Sequence, residues 1–129
     1  MPLARRHLML LAGAAIGTAA LPRTAWLQPN YPTRPVRVVV PYPAGGTTDV
    51  ITRAVSHALA SVWGQQIIIE NKGGGGTQIG AEFVAKSAAD GHTLLATAEA
   101  TFVVNPYLYS KLSYDPNDFV PVSGLAITS

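Results

Sequence analysis

The 129-residue sequence contains no cysteine. That absence excludes disulfides, thiolate metal sites, a cysteine nucleophile and a lipidated N-terminal cysteine, while leaving an oxidising compartment open. Charge is also scarce, at 12% of residues. No GxxxxGK[ST] stretch is present, so a phosphate cradle of the P-loop kind has no support, and the glycine-rich stretches miss GxGxxG in every register. The histidines (His7, His57 and His92) stand at no metal-ligand spacing, and His57 is expected on the exposed side of a helix. No Ser-His-Asp order with a nucleophile elbow occurs. The sequence offers no catalytic constellation, no metal-ligand spacing and no cofactor motif.

The formal charge of +2 invites a nucleic-acid reading until the charges are placed. Arg5, Arg6 and Arg23 precede Tyr31 with no acid among them. From Tyr31 onward, Arg34, Arg37, Arg53, Lys72, Lys86 and Lys111 face Asp49, Glu70, Glu82, Asp90, Glu99, Asp115 and Asp118, leaving one net negative charge. Without a basic patch there is no counterion release to drive binding to a phosphate backbone, so nucleic acid is not an expected partner.

Residues 1–30 read as an export signal and arm. Arg5-Arg6 forms a positive start, Leu8 to Ala20 an apolar run of thirteen residues, and Thr18, Ala19 and Ala20 a small-residue end. A spanning helix needs about 20 residues, so no stable membrane insertion is expected. Cleavage is expected after Ala20, by the twin-arginine or the general secretory route, leaving Pro22 to Asn30 as an arm on a periplasmic protein.

Residues 31–129 alternate strand-like and helix-like runs. Val36 to Val40 is β-branched and ends at Pro41. From Thr48 to Trp63 the residues Ile51, Ala54, Val55, Ala58, Leu59 and Val62 recur at helical spacing, and Gly64 stands at the C-cap position. Gln66 to Glu70 predicts a second strand, Gln78 to Ala88 a second helix closed by Asp90-Gly91, and Thr93 to Thr97 a third strand. Phe102 to Tyr109 predicts a short helix interrupted near Pro106, and Phe119 to Ile127 a fourth extended segment. Helix-length connections between strands imply an α/β fold with a parallel sheet.

Ligands of open parallel sheets bind outside the carboxyl ends of the strands, which directs attention to three loops. In the first, Gly45 and Gly46 let backbone approach a ligand, Thr47 or Thr48 caps the helix, and the free N–H groups and helix dipole favour an anion. Asp49 fits an ordinary first turn, where acids complement the dipole, and would repel a carboxylate brought close to it. The second loop, Lys72 to Thr77, reads equally as a glycine-rich ligand loop or a flexible hinge. The third brings Ala98, Glu99, Ala100 and Thr101 toward the same edge or forms a plain surface turn. Glu70, near where a ribose-binding acid would lie, keeps a cofactor-binding domain of an exported oxidoreductase as an alternative.

The stretch YPTRPVRVVVPYPAGGTTDV at 31–50 resembles the start of Bug-type receptors, the periplasmic substrate-binding proteins of tripartite tricarboxylate transporters. The similarity continues through IIIENKGGGGTQIGA at 67–81, AADGHTLL at 88–95, NPYLY at 105–109 and YDPNDFVPVS at 114–123. The resemblance implies a periplasmic-binding-protein-like parallel sheet with flanking helices. It also implies a receptor, not an enzyme and without a cofactor, for a small organic carboxylate (tricarboxylate, dicarboxylate, acidic amino acid or aromatic acid) that feeds membrane transporter subunits. Carried over, the ligand-binding residues are Gly45, Gly46, Thr47, Thr48, Asp49, Thr77, Ala98, Glu99, Ala100 and Thr101. Gly74 and Thr77 stand where the family commonly has Ala and Asn, and Trp26-Leu27 replaces the usual small-residue end of the leader. Family members are much longer, so residues 31–129 are expected to form part of the first domain, truncated to about one domain with the second absent. A non-functional fragment is the further alternative.

Overall fold

The computed structural model describes residues 31–127. The expected signal segment, its cleavage position and the arm from Pro22 to Asn30 lie outside the described residues.

Strands β1 (Val36–Val40), β2 (Ile67–Asn71) and β3 (Thr93–Leu95) form one parallel sheet in the order β2-β1-β3. Val36 pairs with Ile67 and Val40 with Asn71, while Val38 pairs with Leu94. The central strand is covered on both faces, as its near-continuous valine run requires, and Val36, Val39 and Val40 are fully buried. Burial of each such valine contributes about 1.5–3 kcal/mol relative to exposure. On one face Val36, Val38, Val40 and Ala96 form the core, with Tyr42, Trp63, Ile67, Ile69 and Leu94 packed against it.

Helix α1 (Thr47–Trp63) follows β1 and closes with the Gly64 N–H on Ala60 O at 3.0 Å. Its start differs from expectation: Gly46, not a threonine, occupies the N-cap, and no side chain caps it. The Asp49 carboxylate instead turns back to accept from the Gly45 N–H at 2.8 Å. The buried stripe also differs. Asp49, Thr52 and Ser56 are the buried residues of α1, while Ile51, Val55 and Leu59 are half-buried and Val62 is exposed. The hydroxyl of Thr52 is satisfied within the helix by Thr48 O at 2.6 Å, which lets a polar residue occupy a position that apolar periodicity alone assigns to others.

Helix α2 (Gln78–Ala85) is shorter than predicted. Ser87 donates its N–H to Val84 O at 2.9 Å and its hydroxyl to Phe83 O at 2.8 Å, tightening and ending the last turn. Ala81 is fully buried and Gly80 lies against Pro41 and the Lys72 carbonyl. Strand β3 also stops early, although Ala96 N–H still reaches Val39 O at 2.9 Å.

The predicted helix over 102–109 is two short ones, α3 (Ala100–Val103) and α4 (Asn105–Leu108), joined at Val104. Pro106 lies in the first positions of α4, where its missing N–H costs nothing. The fourth extended segment joins no sheet: residues 120–127 carry no regular structure, and Val120, Val122 and Ile127 are exposed. Phe119 alone anchors its start, edge-on to Phe102 at 5.1 Å and Tyr114 at 6.0 Å. Among the described residues no helix is long and apolar enough to cross a membrane.

Candidate functional site

The loops after the three strands meet at the carboxyl edge of the sheet, held by hydrogen bonds rather than by apolar packing. Asp49 links the first loop to β2. It is 2% exposed; Oδ2 accepts from Gly45 N–H at 2.8 Å and Arg53 Nε at 2.9 Å, and Oδ1 accepts from Asn71 Nδ2 at 3.0 Å. Asn71 also donates to Tyr42 O at 3.1 Å and accepts from Arg53 at 3.1 Å. The Arg53 bond, the Gly45 N–H and the Asn71 amide together hold the Asp49 carboxyl far below the usual carboxylate range, and Arg53 is raised in turn. Asp49 is therefore an anion neutralised inside the protein.

The backbone of the first loop divides into two parts. Gly45 N–H is taken by Asp49, and Gly46 N–H makes a long 3.3 Å contact with Pro43 O. The N–H groups of Thr47 and Thr48 meet no internal acceptor among the described residues. They stand at the positive end of a 17-residue helix, with Thr47 exposed and Thr48 half-buried.

The second loop is ordered locally by hydrogen bonds. Gly75–Thr77 forms a 3₁₀ turn, and Thr77, at φ 77°, holds a left-handed conformation that β-branched residues rarely adopt. Its hydroxyl contacts Thr101 Oγ1 at 2.9 Å and receives Asn105 Nδ2 at 3.1 Å. Asn105, 5% exposed, also donates to Gly76 O at 2.7 Å and lies 3.3 Å from Tyr114 OH, while Tyr114 donates to Thr101 O. These bonds fix the strained threonine.

In the third loop, Thr101 is fully buried and touches Thr97 Oγ1 at 2.6 Å. Ala98 N–H approaches Tyr42 OH at 3.4 Å. Glu99 is exposed at the start of α3, its carbonyl taken by Phe102 and Val103, and Ala100 is half-buried. The structure thus joins Thr77 to Thr101 directly and ties Asp49 to its own loop and to Asn71. Among the described residues it leaves the N–H groups of Thr47 and Thr48 open at the start of α1. Tyr42, Asn71, Asn105 and Tyr114 complete the arrangement and were not among the predicted site residues; the asparagines carried a signal only in standing just after β2 and at the start of a short helix. Two shallow surface hollows lie elsewhere, one against Lys86 and Asp115, the other against Arg37 and His92, and neither is lined by a predicted site residue.

Glu70 is engaged by Arg37 at 3.2 Å and Lys72 at 3.4 Å, so it is not a free acid awaiting a ribose. Among the described residues no group of three or more histidine, aspartate or glutamate side chains is placed to hold a metal.

A parallel α/β sheet with its loops gathered at the carboxyl edge is the architecture of a periplasmic-binding-protein lobe, and the solved structures agree. MatC from Rhodopseudomonas palustris, solved with bound malate, is 43% identical with a TM-score of 0.70, the match covering 74% of this chain and 33% of that one. The periplasmic binding protein BugD is 39% identical with a TM-score of 0.60, over 67% of this chain and 28% of its own. An R. palustris protein solved with adipate is 38% identical with a TM-score of 0.65, over 67% of this chain and 29% of its own. Residues 51–129 match the family described as tripartite tricarboxylate transporter family receptor, and the chain belongs to that family. Protein BugT of Bordetella pertussis is 40% identical over 119 residues, 91% of this chain. The chain spans 36% of BugT and 34% of a second relative from Pseudomonas sp. strain P51. The family is described as one of receptors and BugD as a periplasmic binding protein, not as enzymes.

Proposed function

We propose that this chain forms a lobe of a periplasmic solute receptor that takes up a small organic carboxylate at the carboxyl edge of its sheet and delivers it to tripartite transporter subunits. The observation that carries this reading is the pair of unpartnered N–H groups on Thr47 and Thr48 at the start of α1. Two aligned amides and a helix dipole stabilise an anion there, and internal neutralisation of Asp49 by Arg53 removes the charge that would repel it. The malate and adipate held by two of the structural neighbours are carboxylates of the expected size, and a dicarboxylate is the ligand class this reading favours.

Thermal unfolding with malate, adipate, citrate and NAD tests the proposal. A carboxylate at 100 times its dissociation constant adds about 2.7 kcal/mol to the stability of the native state. A rise with NAD and none with any carboxylate would overturn the receptor reading in favour of a cofactor domain.

A further inference from the structure

A row of polar groups runs through the gathered loops: Asn105 Nδ2 to Thr77 Oγ1 at 3.1 Å, Thr77 to Thr101 at 2.9 Å, Thr101 to Thr97 at 2.6 Å and Thr97 to Tyr42 OH at 3.4 Å. The Asn105 amide is oriented by Gly76 O at 2.7 Å, since only an N–H can face a carbonyl. Thr77 therefore receives a hydrogen from Asn105. The four hydroxyls share only three hydroxyl-to-hydroxyl contacts, so one hydroxyl hydrogen has no acceptor inside the row.

The position of that spare hydrogen follows from burial. Leaving it on Thr101, which is fully buried, or on Thr77, 9% exposed, would strand a desolvated donor. The row is satisfied when its hydrogens point from Thr77 toward Thr97 and Tyr42, the half-buried end. There the Tyr42 oxygen also receives Ala98 N–H at 3.4 Å. Both contacts to Tyr42 are long, and a carboxylate placed beside the pair draws the phenolic hydrogen, which is more acidic than the Thr97 hydroxyl. Thr97 then feeds the phenol oxygen.

We propose that Tyr42 is a ligand contact whose hydroxyl donates to a carboxylate oxygen of the bound ligand between the loops after β1 and β3. Thr97, Thr101, Thr77 and Asn105 are positioning residues behind it. The proposal rests on the receptor reading above and deepens it: the row presents a donor, so this position accepts a carboxylate or another acceptor group and disfavours an ammonium.

The test uses the full chain, labelled with ¹⁵N and with ¹³Cζ-tyrosine, titrated with L-malate and followed by NMR. The expected result is movement of the Tyr42 Cζ resonance together with the Thr47 and Thr48 amides. Tyr42→Phe, which keeps the packed ring, weakens malate binding about tenfold, the scale of a lost charge-assisted hydrogen bond, in a variant whose ¹⁵N spectrum shows the fold retained. Thr97→Val weakens it less. If the loop amides move while Tyr42 Cζ stays still, or if Tyr42→Phe keeps its affinity within about twofold, the inference fails and the receptor reading stands. If no resonance moves with malate, adipate or citrate, both fail together.

Discussion

Asp49 Oδ1 accepts a hydrogen bond from Asn71 Nδ2 at 3.0 Å, joining the first turn of α1 to the last residue of β2 across 22 positions of sequence. The other oxygen holds Gly45 and Arg53, so a single buried carboxylate fixes the loop that precedes the helix, the helix itself and the adjacent strand.

This arrangement sets a pH dependence. The Asp49 carboxyl is lowered in the folded state, so the native form binds fewer protons than the unfolded chain, where the ordinary value is 3.8. Its stabilising contribution is present above that value and is lost as pH falls below it toward the folded-state value. Asp49→Asn is expected to lower the melting midpoint by several degrees at neutral pH, with a deficit that narrows in acid. A deficit unchanged across the acid limb would show that charge is not what Asp49 contributes.

Asn105 supplies the second tie. Replacement by alanine leaves Gly76 O and the buried Thr77 Oγ1 without their common donor. Urea unfolding should report a loss of about 1–3 kcal/mol for Asn105→Ala. Asn105→Asp is expected to be at least as damaging because a carboxylate cannot donate to the Gly76 carbonyl. Wild-type stability in the aspartate variant would contradict the assigned amide orientation.

The contrast between these ties and the secondary structure shows what the sequence revealed. The valines of β1 and the isoleucines of β2 alternate with turn residues, and that pattern located the strands, the parallel order and the loops that matter. The resemblance over 31–50 and 67–81 supplied the receptor family. The Thr77–Thr101 contact lies 24 residues apart in sequence and follows no helix or strand period, so no local pattern marks it. The threonine cap and the apolar stripe of α1 were misplaced for a related reason: Asp49 and Thr52 face inward because internal hydrogen bonds and the Arg53 ion pair neutralise their polarity. Hydrophobic periodicity does not register such compensation.

Gly80 tests the packing of α2 on the sheet. A Cβ there would fall 2.7 Å from Pro41 Cβ and 2.9 Å from the Lys72 carbonyl oxygen, neither of which is the end of a flexible side chain. Alanine favours a helix over glycine by about 0.8–1.0 kcal/mol. The clash outweighs that gain, and Gly80→Ala is expected to destabilise by about 1–3 kcal/mol in denaturant unfolding. An increase in stability would mean that α2 can withdraw from β1 freely.

The paired glycines of the first loop separate folding from binding. Gly45 has φ 84°, and a Cβ there would meet nothing within 4 Å, so Gly45→Ala suffers conformational strain alone. That strain is worth about 1–2 kcal/mol of stability. Gly46, at φ −72°, is already in a conformation open to any residue, and its Cβ would rest 3.4 Å from Pro43 O. Gly46→Ala therefore escapes that strain, with only the smaller cost of alanine at an N-cap, while its methyl group adds bulk beside the Thr47 and Thr48 N–H groups. Malate titration of the two variants alongside their melting curves checks the division. Gly45→Ala lowers the midpoint, Gly46→Ala lowers the affinity, and undiminished binding by Gly46→Ala would remove the start of α1 from the ligand site.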